Sequence, residues 1–250
     1  MEYRDPFANV STAGYGQSQA ASYDAGLRAY MLKVYNYMAS ALALTGITAL
    51  FAAHSPVMLS ALYTMNGNYV GMSGLGWLVT LAPIGLVLWL SFGLHKMSTT
   101  AVQAVYWLYS VLLGLSLTSV FMLYTGESIA RTFFITAGTF GAMSLYGYTT
   151  KRNLSGFGSF LIMGLIGLLL ASLVNIFLQS SALAFATSVI GVLIFVGLTA
   201  YDTQKIKAMY YQISGAGELV TKMAVMAALN LYMDFINMFL YLLRFMGDRR

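Results

Sequence analysis

Two carboxylates stand alone in apolar sequence. "ATSVIGVLIFVGLTAYDTQKIK" carries no charge until Asp202, and "LNLYMDFINMFLYLLRF" holds Asp234 with uncharged residues for several positions on both sides. A charged Asp at the centre of a lone spanning helix costs about 2.5–3.5 kcal/mol on insertion scales, so such residues face a bundle interior and are candidates for function. The two lie 32 residues apart, with Glu218 midway beside the "GAG" at 215–217. In an antiparallel hairpin, residues equidistant from the turn share a depth, so the spacing predicts that the carboxylates meet. Two adjacent carboxylates cannot both ionise cheaply, and a pair that retains one proton near neutral pH is a proton sensor. Deprotonated, the pair offers hard oxygen ligands to a divalent cation such as Ca²⁺. The structural alternative is a hydrogen bond that ties two helices together.

A polar stripe surrounds Asp234. Asn230, Asp234, Asn237, Tyr241 and Arg244 fall at offsets 0, 4, 7, 11 and 14, which is one helical face. The stripe is expected to line something wet or to meet partners. Asn230 and Asn237, with Tyr201 and Arg244, are the candidates for supporting the pair. An intramembrane aspartyl protease also uses two carboxylates sharing one proton. Tyr201-Asp202 matches the "YD" pair of such enzymes. They place the second Asp after Gly-x-Gly, however, whereas here it follows Tyr232-Met233, and no Pro-Ala-Leu stretch comes after it. His54 and His95 lie near helix ends without a signature serine, and the chain has no cysteine. The sequence therefore reads as a non-enzyme.

The elements that must position these groups are membrane helices. The chain is 59% hydrophobic and 8% charged, against about 25% charged for a soluble domain. Seven runs approach the roughly 20 apolar residues that a span requires: about 30–53, 75–94, 101–124, 129–149, 157–178, 183–206 and 219–245. Residues 1–29, small and polar without an apolar core, read as a disordered cytoplasmic tail rather than a signal peptide. Residues 30–250 read as one seven-helix domain, with the last helix inside the bundle. "QSS" at 179–181 predicts a tight hairpin between the fifth and sixth helices, and Pro83 a kink in the second. Gly138, Gly141 and Ala142, Gly164 and Gly167, and Gly191 and Gly197 are expected to let helices approach closely.

With seven spans, nine Lys and Arg fall on the N-terminal side and four on the other. The positive-inside rule then puts the N-terminus in the cytoplasm and the C-terminus outside. A re-entrant last segment would change that count to twelve against one. The net charge of +5 is a topology signal at helix ends. No basic stripe with interleaved aromatics points to nucleic acid.

"AYDTQKIK" followed by "LNLYMDFINMFLYLLRFMG" closely resembles the signature of the Bax-inhibitor family of membrane proteins, bacterial branch. The resemblance is specific over the last two helices and compatible in layout over residues 28–250. It implies a seven-helix fold with a central last helix. It also implies, for some members, a pH-sensitive calcium leak controlled by a paired-aspartate sensor, which maps onto Asp202 and Asp234. Eukaryotic relatives suppress cell death and lower stored calcium. Some bacterial relatives bind and modulate a membrane-bound AAA protease, a binding role open to this chain. Some relatives carry a Glu within the second helix and an Arg at its cytoplasmic end. This sequence departs there: its second run has no acid and ends in His95-Lys96, so an arginine latch is not carried over and Lys96 is its nearest substitute. The expectation is a proton-gated cation (Ca²⁺) leak in the inner membrane. It needs no cofactor and has the lipid bilayer, Ca²⁺, protons and other membrane proteins as its partners.

Overall fold

Hydroxyl side chains mark where the helices begin. Ser55, Ser73, Ser98, Thr125 and Ser180 each accept a hydrogen bond from the backbone N–H three residues on, satisfying one of the donors a helix start leaves unpaired. The computed structural model describes residues 11–66 and 69–250, with side chains described at 25–64 and 71–250. In chain order the elements are α1 (Ser11–His54), α2 (Pro56–Leu62), β1 (Tyr63–Asn66), β2 (Tyr69–Met72), α3 (Gly74–Gly93), α4 (Thr99–Ser116), α5 (Thr118–Leu123), α6 (Gly126–Thr149), α7 (Ser155–Leu178), α8 (Ser181–Ile213) and α9 (Glu218–Met246). The fold is that of an all-α polytopic membrane protein. Its β-structure is a small hairpin in the α2–α3 connection, with Tyr63 opposite Met72.

Several boundaries differ from the sequence reading. Residues 1–10 of the expected tail lie outside the described residues, and α1 begins within that tail, at Ser11. From Leu27 onward the reason is visible. Leu27, Met31 and Val34 recur at helical spacing and are buried, so an apolar face docks before the first long run starts. The third run is two helices. Thr118 donates its hydroxyl to Leu115 O at 2.7 Å at the break, a local bond that competes with a continuous helix. α3 remains helical through Pro83.

Six helices are long and apolar enough to cross a membrane by length and composition, beginning at Ala25, Gly74, Thr99, Ser155, Ser181 and Glu218. The expected count was seven. The difference is α6, which has 24 residues but is rich in Gly, Ser and Thr and carries Glu127 and Arg131. It nevertheless runs the length of the bundle. At its start Ser128 accepts from Asp248 N at 2.9 Å, and at its end Tyr148 O accepts from Lys207 at 2.9 Å.

The chain beyond α9 is strapped to the α5–α6 connection. Thr125 N donates to Asp248 O at 3.1 Å, Arg250 N donates to Leu123 O at 3.0 Å, and Arg131 pairs with Asp248 at 2.9 Å. α9 therefore runs from its turn with α8 to the opposite end of the bundle. It is also the hub. Of its spanning window 61% is buried, against 11% for α7, and it packs on α1, α4, α6 and α8. Tyr232, fully buried, bonds Thr45 of α1 at 2.6 Å and meets the edge of Tyr109 of α4 at 5.7 Å.

Candidate functional site

α8 and α9 form an antiparallel hairpin whose turn needs two glycines. Gly215 and Gly217 have φ of 97° and 55°, a region that residues with a Cβ seldom enter. The turn occupies 214–217, so Glu218 opens α9 rather than marking the midpoint. The sixth run does not stop at its lysines. Thr203 and Ile206 are buried, so the charged "QKIK" stays helical with one face inward. Lys205 and Lys207 turn away, the first lying 5.9 Å from the ring centroid of Tyr201 and the second 4.9 Å from that of Tyr148. Asp202 lies eleven residues before the end of α8, and Asp234 sixteen after the start of α9. At about 1.5 Å per residue these are depths of about 16 and 24 Å. The helices are staggered by the difference.

With that stagger the carboxyl groups meet. Asp202 and Asp234 lie within side-chain hydrogen-bonding reach of each other. Asp234 is only 5% exposed, and Asp202 is half-buried. Asp234 Oδ2 is buried with no hydrogen-bond partner among the described residues. Two ionised carboxylates have no hydrogen to share, so the contact is satisfied only if one of them carries a proton. The neighbouring hydroxyls do not supply one. Thr199 donates to Phe195 O at 2.8 Å and Thr203 to Thr199 O at 2.7 Å. Among the described residues the one salt bridge joins Arg131 and Asp248, far along the bundle. Lys205 acts on Asp202 from one turn away, and it is exposed.

The other residues singled out by sequence are distributed unevenly. Asn230 is half-buried one turn before Asp234. Asn237 spends its amide on Met233 O of its own helix at 2.9 Å. Tyr201 packs across Gly158 of α7, where a Cβ would overlap its ring. Tyr241 stacks on Phe195 at 5.8 Å over Gly191. Arg244 does not support the pair. It is exposed, lies 5.7 Å from the centroid of the Tyr241 ring, and is about 15 Å along the helix from Asp234. Lys96, the substitute for an arginine latch, is exposed at the α3–α4 turn. Within the stripe, Asn237 is taken up by its own helix and Tyr241 by Phe195 of α8. The large cleft of the molecule lies between α1 and α6 and includes neither aspartate. Among the described residues no group of three or more His, Cys, Asp or Glu side chains is placed to hold a metal. The pair alone offers two carboxylates, short of the six to eight oxygens Ca²⁺ prefers, so it suits a passing ion better than a resident one.

Sequence reasoning missed two devices that fix α8. Tyr35 of α1 bonds Ser144 of α6 at 2.6 Å, and Ser144 bonds Thr203 of α8 at 3.0 Å. This hydroxyl chain binds three helices one residue from Asp202. Gln204 then clamps the α6–α7 connection, donating to Arg152 O and accepting from Leu154 N, each at 2.8 Å. Isolated Tyr and Ser residues in apolar runs were the available signal for the first. Nothing in the sequence marks the second.

Comparison with known proteins agrees with this layout. A family model described as "Inhibitor of apoptosis-promoting Bax1" matches residues 27–250. An uncharacterized protein of Rickettsia prowazekii is 52% identical over 93% of this chain and 95% of its own length. The inner membrane protein YbhL of Escherichia coli is 51% identical over 90% of this chain and 94% of its own. An uncharacterized membrane protein of Streptococcus pyogenes is 33% identical over 90% and 94%.

Proposed function

The chain belongs to the Bax-inhibitor family of membrane proteins, and from that premise we propose that it is a pH-sensitive cation leak, permeable to Ca²⁺ and gated by Asp202 and Asp234. The observation that carries this reading is the meeting of two carboxyl groups between α8 and α9, with one buried oxygen lacking a donor. With a single proton the pair is joined by a charge-assisted O–H···O⁻ bond, roughly twice as strong as a neutral one, which holds the two helices together. Losing that proton leaves two like charges face to face, and adding a second leaves a weaker neutral bond. Both changes loosen the contact. A divalent cation entering the loosened contact takes the place of the proton. The packed arrangement around the pair is the closed state in this reading.

Ca²⁺ flux into liposomes holding the purified protein, measured from acid to alkaline pH, tests the proposal. Flux is expected to be lowest where the pair holds one proton and to rise on either side. Flux no greater than that of empty liposomes at every pH would overturn the leak.

The proposal places the protein in the cell inner membrane with its N-terminus in the cytoplasm, from the nine-to-four distribution of basic residues. A reporter fused after Arg250 is then expected to behave as periplasmic. Cytoplasmic activity would reverse the orientation.

A further inference from the structure

The cleft between α1 and α6 is a second feature with its own chemistry. Its volume is about 1430 Å³, above the roughly 300–1,000 Å³ of ordinary small-molecule sites. α1 and α6 form the walls, and Phe235, Ile236 and Phe239 of α9 form the floor. It runs from Arg28 to His54 on α1. Those 26 residues rise about 39 Å, close to the roughly 40–45 Å of a bilayer with its headgroups. Its walls are held apart where they could have closed. A Cβ added at Gly46 or at Gly141 would meet no atom within 4 Å, so these glycines do not serve close packing. Among the described residues the polar groups along its middle are Thr45, Tyr35 and Ser144, all already hydrogen-bonded.

The charged side chains among its described lining residues have one sign. Arg28 lies at one mouth and Arg250 at the other, and no Asp or Glu is among them. At the Arg28 mouth Tyr148 carries Lys207 above its ring and on its carbonyl. A bilayer-length apolar slot with cations at its mouth matches a lipid with an anionic headgroup. Water would leave the walls unsatisfied, and a neutral lipid would leave the cations unmatched.

We propose that the α1–α6 cleft is a binding site for an anionic phospholipid, its acyl chains lying on Phe235 and Phe239 and its phosphate meeting Arg28 and Lys207. The site is independent of the leak. The full-length protein is reconstituted into nanodiscs of equal phosphatidylglycerol and phosphatidylcholine, and retained lipid is counted by native mass spectrometry. The expected result is enrichment of phosphatidylglycerol on the protein over its bulk fraction. Gly141→Phe, which projects into open space, should lower retention at least tenfold with the melting temperature preserved. Ala43→Leu on the facing wall reads the same outcome should the first variant fail to fold. The double change Arg28→Gln and Lys207→Gln should abolish the preference between the two lipids while leaving some lipid bound. Equal retention of both lipids by the unmodified protein would overturn the proposal, as would unchanged retention when either wall is filled. A lipid-free dimer mass would assign the cleft to a second copy of the chain instead.

Discussion

Asp234→Asn and Asp202→Asn each abolish the alkaline rise of Ca²⁺ flux. In the unmodified protein, loss of the shared proton places two negative charges side by side. Two unit charges about 4 Å apart repel by about 4 kcal/mol at an effective dielectric constant near 20, nearly a thousandfold in an equilibrium. An asparagine in either position removes that repulsion. Its amide can donate to the remaining carboxylate, so the contact between α8 and α9 persists at high pH. Only the acid arm remains, where the surviving Asp is protonated. The double change removes this arm as well and gives a flat profile. On the alkaline side it adds little to either single change, because each already removes one of the two like charges. Flux against pH for the four forms is the measurement. An unaltered alkaline rise in both single variants would assign the aspartates to packing and exclude them as the gate.

A second large effect is expected from Gly147→Val. α6 lies close against α8 there, and a Cβ on Gly147 would overlap the Ala200 carbonyl. That carbonyl belongs to a rigid helix and cannot rotate away, so the helices must separate. Overpacking of this kind costs about 1–3 kcal/mol, or roughly 5–10 °C of melting temperature at the upper end for a chain of this size. Ala200 is two residues from Asp202, so the separation also displaces the pair. Gly138→Ala and Gly141→Ala on the same helix are expected to be neutral or stabilising, because their added Cβ meets nothing within 4 Å and glycine is a poor helix former. Thermal denaturation in detergent distinguishes the three. A melting temperature for Gly147→Val equal to that of Gly141→Ala would refute the close approach.

These glycines also show what the sequence could and could not reveal. Gly138, Gly141 and Gly167 read the same as Gly191 and Gly197, yet only the last two are pressed by a neighbouring helix, against Tyr241 and Leu161. Which glycine faces a partner is decided by helix rotation, and the composition of a run does not fix that. The aspartate pair was legible because a buried charge has few places to go and the hairpin geometry limited them further. The turn was displaced from Glu218, but the stagger of the helices absorbed the difference. The stripe on α9 was legible as a face, but its surroundings were not. Helical spacing cannot say whether a polar face meets water, its own backbone, as Asn237 does, or an aromatic ring, as Arg244 does. The length of α6 was legible too, but its low apolar content leaves it outside the set of helices that qualify by composition.

The central position of α9 has a consequence for how the protein is made. It is the last of these helices in chain order, yet it supplies the floor on which α1, α4, α6 and α8 rest. Synthesis proceeds from the N-terminus at about 5–20 residues per second, so the earlier helices enter the bilayer seconds before their common core exists. During that interval Asp202 lies in lipid without Asp234, and the small residues that will seat on α9 face acyl chains. The nascent chain must therefore be held as loosely associated segments and then close in one late step. A premature stop before α9 would remove the keystone rather than one stave of the wall, leaving the earlier helices without the floor on which they pack.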